Sequence, residues 1–195
     1  AIHTQMVIDN LVNLSGYQNL SEQDKEVLWA VALMHDIEKR STSEDEGDGM
    51  IHAPGHARRG EQTVREILFR DIETPFAIRE QIASLVRLHG LPLWLMEKEN
   101  PQKKIIESSL RLNTKHLKMI AEADARGRIC EDLDSLFYSR ELFELYSKEQ
   151  NCWGVEREFE TLNAQYTYFS KEDSFVDYVP FDDFKSKVTL LSGLP

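Results

Sequence analysis

Apolar residues recur at helical spacing through most of the chain, and polar or glycine-containing breaks separate the runs. The first run covers residues 2 to 14 and is followed by Gly16, a plausible stop. The second opens at Ser21, a good N-cap residue, and its nearly unbroken apolar run to Ile37 predicts a central, buried helix. Further helices are predicted over residues 55–69, 75–89, 101–112, 114–125, 132–149 and 156–169. The pattern indicates an all-α bundle up to about residue 170.

Two stretches depart from this helical pattern. Residues 41–49 are rich in Ser, Asp, Glu and Gly, which predicts a mobile loop. Residues 187–192 are apolar and β-branched, which predicts a lone strand whose backbone groups would be unpaired. The chain also opens on Ala1 rather than on Met. We therefore expect an excised fragment, with a helical domain over residues 1–170 and a linker with the first strand of a second domain over residues 171–195.

Composition narrows the class of protein. The 195 residues carry a formal net charge of −11, which argues against a broad electrostatic surface for nucleic acid but not against a small anionic substrate. The sequence contains neither a signal peptide pattern nor an apolar run of about 18 residues, so we expect a cytoplasmic protein with no membrane partner. With 2 cysteines in the chain, histidines and carboxylates must supply any metal ligands.

The adjacent pair His35 and Asp36 is the most informative candidate site. Neighbouring residues on a helix point ~100° apart, so the pair can share an ion only if other helices supply further ligands. His3 and Asp124 would complete a mixed set of imidazoles and carboxylates, which suits Mn, Fe, Co, Ni or Zn better than Ca. Taken singly, a helical histidine is usually structural, Asp124 would be a solvated helix-end carboxylate, and His116 is expected at the surface.

Four ordered segments raise the specificity of this pattern. They are His35-Asp-Ile-Glu-Lys39, His52-Ala-Pro-Gly-His-Ala-Arg-Arg-Gly60, Val86-Arg-Leu-His89 and Ala121-Glu-Ala-Asp-Ala-Arg-Gly-Arg128. Together they resemble the HD-domain metal-dependent phosphohydrolases, and most closely the HD domain of bacterial tRNA nucleotidyltransferases. The resemblance covers about residues 1 to 128 and implies an HD-domain helical bundle.

The resemblance also implies roles for individual residues. The implied metal ligands are His3, His35, Asp36 and Asp124, and the implied catalytic residues are Lys39, His56 and His89. Glu38 departs from the glycine that is frequent just before the basic residue in this family. His56 and His89 occupy positions where related enzymes place histidines that contact substrate phosphate or recruit a second ion. The alternative for both is a helix-end histidine that donates to the backbone.

Candidate phosphate-binding residues are less well determined. They are His52, Arg58, Arg59 and Arg126. One of the adjacent arginines should face the cleft, while the other faces solvent or pairs with a nearby glutamate. Arg126 and Arg128 have a helix-dipole role as the alternative. Trp94 could stack on a base or pack in the core.

The chain end suggests a further domain. Residues 188–195 resemble the first strand and opening Gly-x-Pro of a P-loop kinase, without its diagnostic lysine. This resemblance implies a fusion of an HD phosphohydrolase to a covalently linked polynucleotide-kinase-like domain. ATP and Mg would bind only to that missing domain.

The leading hypothesis is a metal-dependent phosphohydrolase that acts on phosphate monoesters or 2′,3′-cyclic phosphates of nucleotides or RNA ends. A divalent ion would polarise a phosphoryl oxygen and lower the pKa of water. One alternative is a free-nucleotide phosphatase or alarmone hydrolase that uses the same site. Another is a catalytically silent HD scaffold, although a decayed site would be expected to have lost a ligand.

Overall fold

The computed structural model describes residues 2–45, 51–129 and 132–155, and for residues 45, 51 and 52 it describes the backbone alone. It also describes the backbone of two short strands, residues 168–169 and 175–176. The chain divides into two compact units, Ala1–Arg157 and Glu158–Pro195. This division falls earlier than the domain boundary expected between residues 170 and 171. No helix among the described residues is long and apolar enough to cross a membrane.

The first unit is mostly helical, which confirms the all-α prediction. Its helices, numbered in chain order, are α1 (Ile2–Val12), α2 (Ser15–Gln18), α3 (Glu22–Met34), α4 (Lys39–Thr42), α5 (His56–Arg70), α6 (Phe76–Leu88), α7 (Pro101–Ser109), α8 (Thr114–Arg126) and α9 (Leu133–Glu149). A 3-10 turn, Leu95–Glu97, precedes α7. Strand β1 (Glu44–Asp45) pairs antiparallel with β2 (Ile51–His52), with Glu44 opposite His52.

In the second unit, β3 (Tyr168–Phe169) pairs antiparallel with β4 (Phe175–Val176). The predicted helix over residues 156–169 is therefore wrong at its last two residues, and its earlier part lies outside the described residues. The predicted strand over residues 187–192 and the P-loop-like ending also lie outside the described residues.

Side-chain caps fix the starts of several helices. The Ser21 hydroxyl accepts a hydrogen bond from the Asp24 backbone N–H at 3.1 Å, as its sequence position predicts. Asn113 caps α8, which begins at Thr114, by accepting from the backbone N–H of Lys115 at 2.9 Å. Thr114 instead donates its hydroxyl to the Cys152 carbonyl at 2.8 Å. This bond ties the segment after α9 to the start of α8.

Three predicted boundaries differ from the observed ones. Gly16 lies inside α2 instead of stopping the first helix. Helix α3 ends at Met34, and residues 35–38 form a turn, so the predicted helix to Ile37 is too long. The predicted loop over residues 41–49 contains the end of α4 and all of β1. A polar composition therefore did not prevent short regular elements in this segment.

The core lies where α1, α3, α6, α8 and α9 meet, and α8 contacts the other four helices. Its fully buried side chains include Val7, Leu11, Leu28, Val31, Leu85, Leu117, Ile120 and Phe143. His116 is 4% exposed, so its predicted surface position is wrong, because neighbours surround α8 and leave little of it to solvent. Helix α3 is less buried than predicted, since Trp29 and Leu33 on its outer side are about half exposed.

Candidate metal centre

Five helix ends bring the candidate ligands together. His3 lies in the first turn of α1, and His35 and Asp36 directly follow α3. The remaining ligands are His56 at the first position of α5, His89 just after α6, and Asp124 near the end of α8. As expected, other helices supply further candidate ligands beside His35 and Asp36, because two neighbouring side chains alone cannot surround an ion.

Backbone carbonyls orient all four imidazoles in the same way, with Nδ1 towards the backbone. The Nδ1–H group of His3 donates to the Gly127 carbonyl at 3.0 Å. The Nδ1–H groups of His35, His56 and His89 each donate at 2.8 Å to the carbonyl three residues earlier. Each ring therefore turns Nε2 towards the centre, which is how second-shell acceptors orient metal-binding histidines.

The first group of converging donors is His3, His35 and Asp124, whose ligand atoms lie within 4.8 Å of one another. The His3 Nε2 atom is 3.1 Å from Asp124 Oδ1 and 3.4 Å from His35 Nε2. His35 and Asp124 are almost completely buried, with side-chain exposures of 1% each. The expected alternative of a solvated carboxylate is therefore wrong for Asp124.

The second group is Asp36, His56 and His89, again within 4.8 Å of one another. Asp36 Oδ1 is 3.4 Å from His56 Nε2 and 3.9 Å from His89 Nε2. Its other oxygen, Oδ2, is 3.4 Å from His35 Nε2 and 3.7 Å from His3 Nε2. Asp36 thus contacts both groups and can bridge two ions.

Burial and neighbouring charges set the protonation of this centre. Burial opposes ionisation of Asp36 and Asp124. The hydrogen bond and charge of His35 outweigh burial at Asp36 and lower the pKa of this carboxyl. Hydrogen bonds from His3 and Arg128, with the charge of Arg128, do the same at Asp124. Burial lowers the pKa of His89 to about 4. Burial also opposes charge on His35, but Asp36 outweighs it and raises the pKa of His35. Both carboxylates and the His89 imidazole are thus in their metal-binding forms near neutral pH.

The donor chemistry fits a divalent cation. Because each Nδ1 donates to a carbonyl, the Nε2 atom of a neutral imidazole carries a lone pair. His3 and His35 direct these atoms at each other and at Asp124, so acceptors converge with no donor among the three when both imidazoles are neutral. A shared metal cation relieves this repulsion, as does a proton on one imidazole. Imidazole and carboxylate together suit Mn, Fe, Co, Ni or Zn.

The HD domain family matches residues 1–136, which covers every ligand of both groups. The chain belongs to the HD domain family. HD domains bind divalent metals and are typically metal-dependent phosphohydrolases. No curated protein and no solved structure matches the chain. The likeness to the HD domain of tRNA nucleotidyltransferases stays a prediction.

The HD centre opens into a cavity of about 770 Å³. Asp36, His56 and His89 line it, as does Lys39, whose ammonium donates to Asp36 Oδ2 at 3.1 Å. His56 and His89 each donate to the backbone, as the alternative expected, and each also faces Asp36, while a role in binding phosphate or a second ion stays a prediction. The two roles are compatible because they use different ring nitrogens.

The predicted phosphate-binding residues are mostly placed elsewhere. Arg58 and Arg59 are exposed and do not line the cavity. Arg126 is also outside the lining, and its guanidinium donates to Glu122 at 2.8 Å and 3.0 Å. The His52 side chain lies outside the described residues, although its backbone forms part of β2. None of the three arginine side chains lines the described cavity.

The sequence left open whether Arg126 or Arg128 reaches the cavity, and in the structure it is Arg128. Its guanidinium donates to both oxygens of Asp124, at 3.2 Å and 2.7 Å, and lines the cavity. Trp94 also lines the cavity, and it packs against the small apolar cluster around Leu93. Both expectations for Trp94 therefore remain open, because one face of an indole can pack while another faces a ligand.

Sequence reasoning missed a further set of cationic residues in the cavity. These are Arg87, Lys98, Lys104 and Arg111. Part of the signal was present in α7, where Lys104 and Ser108 are four residues apart and therefore lie on one helix face. Arg111 follows two residues after the end of this helix.

Proposed function

We propose that this HD domain hydrolyses phosphate monoesters or 2′,3′-cyclic phosphates at nucleotide or RNA ends in a metal-dependent reaction. The observation that carries the proposal is the pair of donor groups that share Asp36 at the wall of a cationic cavity. Divalent ions held there would polarise a phosphoryl oxygen and lower the pKa of water near it. That chemistry suits transfer of a phosphoryl group to water.

We assign the protein side chains as follows. His3, His35 and Asp124 would hold one ion, and His56 and His89 would hold a second, with Asp36 available to both groups. This assignment gives His56 and His89 a metal-binding role in place of proton transfer. Their Nε2 atoms face the same Asp36 oxygen, an arrangement that favours coordination over a proton relay.

Two cationic side chains are placed to receive the scissile phosphate. The Lys39 ammonium is about half exposed and keeps further N–H groups beyond its bond to Asp36. Arg128 is held in place by Asp124 and presents a planar, permanently charged guanidinium at the cavity wall. Both line the cavity beside the ligands, so charge on the phosphoryl oxygens would be neutralised there.

A silent scaffold is disfavoured by the retained donor set. Both groups of ligands are complete, and every imidazole has a backbone acceptor that orients it. The same geometry would serve a free nucleotide, so the choice between an RNA end and a free nucleotide rests on substrate comparison.

The test is phosphate release by protein stripped with a chelator and reloaded with Mn, Co, Ni, Fe or Zn. Substrates are an oligonucleotide with a 3′-phosphate, one with a 2′,3′-cyclic phosphate, free nucleoside monophosphates and an alarmone. We expect metal-dependent release that Asp36→Ala abolishes, while Asp71→Ala at an exposed position retains it. Full activity of Asp36→Ala, or equal activity without metal, would contradict the proposal, and a preference for free nucleotides would favour the alternative.

We also propose that the HD domain is covalently linked to a P-loop kinase-like domain. Support comes from the sequence of residues 188–195 alone. ATP and Mg would belong to that domain. The test is the sequence that follows Pro195 in the intact gene product, where a Gly-x-Gly-Lys-Ser or Gly-x-Gly-Lys-Thr continuation is expected and any other continuation would remove the proposal.

A further inference from the structure

The cavity beside the metal centre is cationic in a strongly acidic chain. Its anionic lining residues are Asp36 and Glu107, and its cationic lining residues are Lys39, Arg87, Lys98, Lys104, Arg111 and Arg128. The whole chain has the opposite bias, with a net charge of −11. Cations concentrated in one cleft of an anionic protein raise the local concentration of anionic ligands.

The scissile phosphate does not account for all of these cations. Lys39 and Arg128 lie beside the ligand carboxylates, where they contact Asp36 and Asp124. Arg87 and Arg111 instead contact Glu61, and Lys104 contacts Glu107 on α7. Carboxylates other than the candidate metal ligands hold these cations, so they can serve a part of the substrate other than the scissile phosphate.

Glu61 on α5 holds two of the arginines in place. Its carboxylate is 2.5 Å from Arg111 Nη2 and 3.5 Å from Arg87 Nε. A third contact, from Arg65 at 3.1 Å, comes from a guanidinium that is also paired with Glu80 through two bonds of 2.9 Å. Glu61 therefore offers one negative charge to Arg87 and Arg111 together, which leaves a net positive charge on the pair.

We infer that the Glu61-held pair Arg87 and Arg111, together with Lys104, binds a second phosphate of the substrate, at least one sugar unit away from the scissile phosphate. This inference rests on the proposed function and names its substrate class. Arginine presents a fork of donors that matches phosphate, and the two arginines keep free donors beyond those that Glu61 occupies. A cavity of about 770 Å³ has room for a nucleotide beside the metal centre.

The inference is tested by equilibrium binding to metal-free protein, so that hydrolysis does not interfere. The probes are a nucleoside 3′-monophosphate, the matching 3′,5′-bisphosphate, and a dinucleotide with a 3′-terminal phosphate. We expect the ligands with two phosphates to bind the wild-type protein about tenfold more tightly than the monophosphate. The bisphosphate and the dinucleotide distinguish a terminal phosphate from an internal phosphodiester as the group that is bound.

Variants assign the preference to this surface. Arg111→Gln and Lys104→Gln should each reduce or remove the preference for two phosphates, and both positions are partly exposed, so folding should be retained. Arg70→Gln is the matched control, because Arg70 pairs with Glu66 on the outer surface of α5 and does not line the cavity. Arg111→Lys should recover part of the preference, since it restores charge without the fork.

The outcomes separate this inference from the proposed function. Equal binding of one and two phosphates, no measurable binding of the bisphosphate and the dinucleotide, or a preference that survives in both Gln variants would overturn the second-phosphate site. Metal-dependent phosphate release could persist in each of those cases. Conversely, a lost preference in the variants would support the site even if no substrate were hydrolysed.

Discussion

Gly127→Ala should displace α1 and with it one metal ligand. A Cβ atom at Gly127 would lie 2.8 Å from Val7 Cγ2, 3.2 Å from the Val7 backbone nitrogen and 3.3 Å from the Ala123 carbonyl oxygen. Val7 is fully buried and cannot turn away into solvent. Carbon atoms pack at about 3.5–4.0 Å, so α1 must move by roughly 1 Å.

That movement breaks the contact that orients His3. The His3 Nδ1–H group donates to the carbonyl of Gly127 itself at 3.0 Å, and His3 precedes Val7 by one helical turn. A shift of roughly 1 Å would stretch this bond beyond hydrogen-bonding distance. Overpacking should lower the free energy of unfolding by about 1–3 kcal/mol. Loss of the second-shell acceptor should weaken metal binding by about 10- to 100-fold.

Two measurements check this prediction on metal-free protein: chemical unfolding, and metal titration in competition with a chromophoric chelator. Gly16→Ala is the control, because its Cβ would meet only the flexible end of Met119, at 3.1 Å from Cε. The reasoning is refuted if Gly127→Ala matches Gly16→Ala in both stability and metal affinity, since the close approach of α1 would then not position His3.

Three further predictions follow from the same structure. Metal at a free concentration 100 times its dissociation constant should stabilise the protein by about 2.7 kcal/mol per site. In a thermal melt this stabilisation should raise Tm by about 5–11 °C, and a chelator should reverse the rise. An unchanged Tm would contradict specific binding. His56→Ala should lower the bound metal by about one ion per chain while Asp36→Ala lowers it further, as elemental analysis would measure; unchanged content in both would contradict the assigned ligands. Phe143→Ala should cost about 3–5 kcal/mol in chemical unfolding without changing metal content, because Phe143 is fully buried in the core; a cost below 1 kcal/mol would contradict that packing.

The helices, and the convergence of the candidate ligands, could largely be predicted from the sequence, because helices depend on local apolar spacing and the candidate ligands on a short ordered pattern of residue types. Helical apolar spacing marked α3 and α6, and Ser21 marked the start of α3. The family resemblance implied His3, His35, Asp36 and Asp124 as ligands, and the structure brings them into one centre. The predicted ends of helices were less accurate. At the end of α3 the His35 side chain donates to the Ala32 carbonyl, and the chain turns there.

The phosphate-binding residues were harder to predict because they depend on tertiary placement. Arg126 and Arg128 have the same residue type and lie near the same helix end, yet one pairs with Glu122 outside the cavity and the other with Asp124 inside it. His116 was assigned to the surface because its sequence neighbours are lysines, whereas packing around α8 buries it. Arg87 and Arg111 become a pair only through Glu61, which no local pattern connects to either.

Anomalous scattering from Mn-loaded crystals tests the central claim most directly, since it locates the ions without relying on activity. We expect two peaks about 3.5–4 Å apart. One should lie among His3, His35 and Asp124, the other should lie beside His56 and His89, and Asp36 should lie between them. A single peak would limit the centre to one ion, and the absence of any peak within coordination distance of Asp36 would contradict the account.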